Sequence, residues 1–159
     1  MVKTYRQGAI GAMLDEYERA LAEYIHLVTG VPESVFPAII DPDTDDEDCR
    51  SIQTVTHHVI RAGFGYADYL RDTFGMASSR PDLEMTTHAD VEDRLREMFA
   101  YTLETLQGKE LMPYDEISGT RMQVRWGPIY DIEQLLEHAI VHVLRHRRQV
   151  DRFLPRAGL

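Results

Sequence analysis

Apolar residues return at helical spacing in four stretches of this chain, and no set of alternating segments marks a sheet. In the first stretch Ile10, Met13, Tyr17, Leu21, Tyr24 and Val28 recur every three or four positions within a run rich in Ala, Glu and Leu, and Gly30 and Pro32 close it. The following PESVFPAIIDPDTDDEDC carries three prolines and a block of acids and reads as a loop. Thr44 and Glu47 have the spacing of a capping box, which predicts a second helix over 46–74 with Ile52, Val55, Val59, Ala62, Tyr66, Tyr69 and Leu70 on its apolar side. GMASSRPD breaks it. A third helix is predicted over 89–107, along Val91, Leu95, Met98, Phe99, Thr102 and Leu106.

Segment 108–130 has no clean period. TRMQVRW alternates weakly, while Pro113, Gly119 and Gly127-Pro128 interrupt any helix, so the segment reads as a long crossover with a short extended piece. Asp131, with Gln134 three residues on, signals the start of a fourth helix that runs to about 154, before Pro155. Four helices with one apolar stripe each predict an all-α four-helix bundle, a fold that builds its sites from side chains facing each other across the core. At 159 residues, 43% of them hydrophobic, the chain suits a single domain over 1–159.

Charge and cysteine usage narrow the function. Acids outnumber bases 27 to 17, for a net charge of −10, so most of the surface repels a phosphate backbone or an anionic membrane. No window is apolar for long enough to span a bilayer. The single cysteine, Cys49, has no partner for an internal disulfide, and the start MVKTYRQGAIGAM lacks the apolar run of a signal peptide, so a reducing cytoplasm is expected. The acids of DEDC oppose any lowering of the Cys49 pKa at a helix start, and the thiol is not expected to be functional.

The chemistry lies in the histidines. LLEHAIVHVLRHRRQV spaces His138, His142 and His146 four apart. At about 100° per residue, His146 falls inside the apolar arc of the fourth helix, His142 at its edge and His138 outside it. On the second helix His58 borders the core while His57 lies about 100° away on the other side, and Ala62 and Gly65 leave space along the His58 line. Two histidines at i and i+4 with a third from a facing helix make three neutral nitrogen ligands, an arrangement that keeps a fourth position open to substrate. A lone i, i+4 pair is more often an ordinary surface or core feature; the third inward histidine changes that balance. His57, His26, His88 and His138 are read as ordinary residues, with His138 a reserve ligand. No H-E-x-x-H and no cysteine pair occurs.

HVLRHRRQV, His142 to Val150, resembles the HxxxHRGQ signature of the DinB/YfiT-like superfamily, and THHVIRAGF resembles the region of its helix-two histidine. The resemblance covers most of the chain by helix order and length, though its specific residues are few, and Arg148 stands where the signature has Gly. It implies an up-down-down-up bundle with the long crossover between helices three and four, a homodimer, and one divalent ion, zinc or nickel, on His58, His142 and His146. It also implies transferases and isomerases that use bacillithiol, mycothiol or glutathione, because a divalent metal binds a thiol as its nucleophilic thiolate at neutral pH. The alternatives are a metal-activated hydrolase and a non-enzymatic bundle that binds metal or a partner. Arg61 and Arg145, each three residues after a ligand position, are candidates to receive a substrate carboxylate. Gln149 is a candidate partner for a ligand imidazole, Arg147 is expected to reach a neighbouring helix or subunit, and Tyr66 and Tyr69 are expected near the centre.

Overall fold

The computed structural model describes residues 4–159. In chain order it holds helix α1 (Gly8–Thr29), a 3-10 turn (Glu47–Cys49), α2 (Ile52–Thr73), α3 (Val91–Leu106), the short α4 (Tyr114–Gly119), strands β1 (Met122–Gln123) and β2 (Ile129–Tyr130), and α5 (Ile132–Arg156). The chain is mainly helical, and the four long helices fall in the four stretches that the apolar periodicity marks. None of the helices among the described residues is long and apolar enough to cross a membrane.

Each long helix buries its stripe against two others: α1 packs on α5 and α3, and α2 packs on α3 and α5. The stripes meet in one core that includes Leu14, Tyr17 and Tyr24 of α1, Ile52 and Phe64 of α2, Leu95 and Met98 of α3, and Leu135 and Val150 of α5. Two of its buried tyrosines find hydroxyl partners across helices, Tyr17 donating to the Met98 sulfur at 3.6 Å and Tyr24 sharing a 2.9 Å bond with Thr56 Oγ1. At Gly63 α2 packs tightly on α3, since a Cβ there would stand 2.3 Å from the Met98 sulfur.

Three boundaries differ from the sequence expectation. Thr44 and Glu47 do not cap α2; the chain first makes the 3-10 turn, capped by Asp46, whose carboxylate accepts the Asp48 N–H at 3.0 Å. Ser51 then extends the backbone and forms the capping box with Thr54, each side chain accepting the other's N–H at 3.0 Å. Pro113 and Gly119 bracket a helix rather than prevent one, since proline is tolerated where the first N–H groups have no helical partner and glycine at the other end. Pro155 lies inside α5, where it removes a single hydrogen bond in the last turn.

The extended piece of the crossover is a two-stranded antiparallel hairpin, Met122 opposite Tyr130 and Gln123 opposite Ile129. Its turn needs Gly127, whose φ of 118° is a conformation that side chains disfavour. Tyr69 of α2 holds the hairpin down by accepting the Arg125 N–H at 2.9 Å. On another side of α2, buried Arg71 donates to Ala77 O at 2.9 Å and Ser79 Oγ at 3.3 Å and stacks on the Tyr101 ring, fixing the segment that leaves the helix.

Candidate metal centre

α2 carries His58 and α5 carries His142 and His146, and the packing of these two helices brings the three rings together. Every Nε2 points to a common space. His58 Nε2 lies 3.0 Å from His142 Nε2, and His146 Nε2 lies 3.3 Å from the same atom. His142 and His146 are buried, while His58 keeps 28% of its side-chain surface. The trio is therefore covered from the core side and reachable at one edge.

The opposite nitrogens are tied down. His58 Nδ1–H donates to Asp48 Oδ2 at 3.0 Å, and His146 Nδ1–H donates to Gln149 Oε1 at 2.9 Å. An ionised carboxylate only accepts, so His58 carries its proton on Nδ1 and presents a lone pair at Nε2; the amide oxygen does the same for His146. Two lone pairs thus face one His142 Nε2, which has at most one proton to share between them. Burial first, then the neighbouring His146 and His58 rings and the Arg145 guanidinium, push His142 down to about 2. His146 is also lowered, chiefly by burial and against the opposing pull of Gln149. The cluster is a set of neutral donors that cannot satisfy one another.

A cation would resolve that conflict. Metal–imidazole bonds of ~2.0–2.1 Å in a tetrahedral set place neighbouring nitrogens ~3.3–3.4 Å apart, close to the 3.0 and 3.3 Å separations here. His58, His142 and His146 together could hold one ion, and they are the only such group among the described residues.

Around this trio the expectations divide. Gln149 supports His146 as expected, and Arg147 crosses to α1, where it pairs with Glu23. Arg148 is exposed. Tyr66 stands edge-on to His142 with centroids 5.6 Å apart, its hydroxyl pushed up to about 12 mainly by burial. Gly65 faces open space, as the small-residue line suggests. Arg61 donates to the same Asp48 oxygen as His58, at 3.2 Å, so its charge is engaged with a support of the site. Arg145 is exposed and has no carboxylate partner among the described residues.

His57 corrects an expectation, for it is buried rather than facing away from protein. The connection from α2 to α3 covers that face: Thr86 Oγ1 sits 3.3 Å from His57 Nδ1, and Gln53 fixes Thr86 by donating to its carbonyl at 2.8 Å. His138 stays outside the trio. Its ring stacks on Trp126 at 5.3 Å, and Tyr130 Oη lies 3.4 Å from its Nδ1, so the hairpin occupies it. His26 is exposed, and His88 packs edge-on against Phe36. Cys49 has its thiol pushed up, first by burial and also by Asp46 and Asp48.

Two features escape the sequence reading. Asp48, ten residues before His58 in an acidic run, gives no periodic signal because it belongs to a separate turn. A Glu-x-x-His pair, Glu23 and His26, also occurs on α1, where Glu23 is engaged by Arg19 and Arg147 and His26 is exposed. No family model matches this chain, and no curated protein matches it. What the fold and site define is a helical protein with a three-histidine cluster of metal-binding geometry.

Proposed function

We propose that this chain is a DinB/YfiT-like enzyme, an up-down-down-up four-helix bundle with its long crossover between α3 and α5, that holds one divalent ion, zinc or nickel, on His58, His142 and His146. It acts in the cytoplasm as a homodimer and transfers a low-molecular-weight thiol to a small electrophile. The convergence of three Nε2 atoms, two of them presenting lone pairs because of hydrogen bonds at Nδ1, carries the reading. When bound, the ion supplies Lewis acidity, lowering the pKa of a thiol or water at its open position.

The protein's own residues do the rest. Asp48 and Gln149 hold two imidazoles in the tautomer that offers Nε2, a role that raises ligand basicity and fixes ring direction. Tyr66 and the rings of the hairpin wall the site with apolar surface against His142 and His138. The partial exposure of His58 supports an open centre for catalysis over a closed structural one.

The test is metal content by plasma mass spectrometry on untagged protein. About one ion per chain is expected, lost in His58→Ala, His142→Ala and His146→Ala and kept in His57→Gln and His138→Ala. A protein that is empty and refuses added zinc and nickel overturns the reading. Metal-loaded protein is then given thiols with electrophiles: a thioether product supports transfer, a hydrolysis product moves the assignment to a hydrolase, and no turnover with tight metal binding leaves a metal-binding bundle. Sedimentation velocity checks the dimer.

A further inference from the structure

A cleft of about 360 Å³ runs along the last turns of α5, walled by Arg145, Arg148, Gln149 and Arg152, floored by Phe153 and closed by the Arg156–Asp41 pair. Its charge is out of keeping with the rest of an acidic chain. Among the described residues ten of the fifteen arginines sit within 4.0 Å of a carboxylate, and of the five that do not, Arg145, Arg148 and Arg152 all face this one space. At spacings of three and four residues along one helix their charges repel one another. The C-terminal end of a helix offers an anion no help of its own, so any attraction here is the work of the guanidinium groups.

We propose that this cleft is a binding site for a small molecule bearing two or more anionic groups, carboxylate or phosphate. Its volume falls in the range of small-molecule sites. Three unpaired guanidinium forks on one wall match a ligand with more than one planar or tetrahedral oxyanion. The net charge of −10 keeps polymeric anions away while leaving a local positive pocket for a small one. The Arg156–Asp41 pair, with Arg156 also donating to Ile40 O at 2.8 Å, fixes the rim and leaves the other three arginines free.

The cleft adjoins the histidines. Gln149 lines it and also accepts the His146 Nδ1 hydrogen, so a ligand held there lies one side chain behind the trio. The cleft thus anchors the anionic part of the small molecule on which the centre acts, a consequence that rests on the proposed function, whereas the binding itself does not.

The test is calorimetric titration of the metal-free full-length protein with inorganic phosphate and, separately, with succinate, at constant ionic strength with chloride as the balancing anion. Saturable one-site binding of at least one of them, on the order of millimolar or tighter, is expected. The Arg148→Gln/Arg152→Gln double variant should bind about tenfold more weakly or not at all. That variant should also melt no lower than the parent without ligand, because its substitutions relieve repulsion, so lost binding cannot be blamed on misfolding. No saturable heat with either anion, or binding that the double variant retains, overturns the proposal. His142→Ala separates the two readings: it should keep the anion and lose the metal. A parent that takes the anion but no metal sinks the enzyme and leaves the cleft; metal without anion sinks only the cleft.

Discussion

Replacing Asp48 measures how much the carboxylate behind His58 contributes to the metal centre. Its Oδ2 accepts from His58 Nδ1 at 3.0 Å and from Arg61 at 3.2 Å, so Asp48→Ala removes the group that fixes the His58 tautomer and leaves Arg61 unpaired beside the ring. Loss of such a support typically weakens metal binding 10–100-fold, or about 1.4–2.7 kcal/mol. Asp48 is 33% exposed and the His58 side chain 28%, so water partly replaces the lost bond and the lower end of that range, near tenfold, is expected. Asp48→Asn keeps an acceptor oxygen and loses the charge, and should fall between Asp48→Ala and the parent. Gln149→Ala, behind the more buried His146, should cost at least as much as Asp48→Ala. The assay is competition for zinc against a chromophoric chelator at pH 7.5, with the thermal midpoint of each metal-free variant as a control for folding. Parent-like affinity in both alanine variants would refute the idea that these hydrogen bonds preorganise the ligands.

Other outcomes follow from the packing and from the buried histidines. Gly63→Ala places a methyl group 2.3 Å from the Met98 sulfur in a fully buried contact, and the strain of roughly 1–3 kcal/mol should exceed the helix-propensity gain of about 1 kcal/mol, lowering the denaturation midpoint; Gly65→Ala, which meets nothing within 4 Å, should hold or raise it. His57, His138, His142 and His146 all have folded pKa values below their ordinary value near 6.5, each chiefly through burial. The unfolded chain therefore binds protons first as pH falls. Metal-free protein should have its full stability above about pH 6.5 and lose it below, by up to about 1.4 kcal/mol per pH unit for each histidine kept neutral; urea midpoints that stay flat from pH 7 to pH 5 would contradict this. His138→Ala should leave metal affinity unchanged while shifting the emission of Trp126, the only tryptophan, whose ring it stacks on; a matched loss of metal would instead make His138 a ligand.

The trio is legible in the sequence because it depends on local geometry twice over. A fixed rotation per residue places His142 and His146 on the buried side of one helix and His58 at the core edge of another, and the only tertiary fact needed is that α2 and α5 pack together. Gln149 was legible for the same reason, being three residues from His146 on the same helix. Asp48 was not, since its reach to His58 depends on the 3-10 turn that delays the start of α2 until Ile52. The rotation of about 100° per residue also misplaces His57. It reports only which face meets the other helices, whereas here the α2–α3 connection, held by Thr86 and Gln53, covers the remaining face.

By itself the sequence determined the four long helices, their inward stripes and the three histidines, all consequences of a period that neighbouring residues impose on one another. Only the tertiary structure decided that the Nε2 atoms of His58 and His146 lie 3.0 and 3.3 Å from that of His142, that Asp48 stands behind His58, and that three arginines open onto one cleft without acidic partners among the described residues. Those facts join residues through loops and helix crossings, where the path of the chain is set by the whole core rather than by any local repeat.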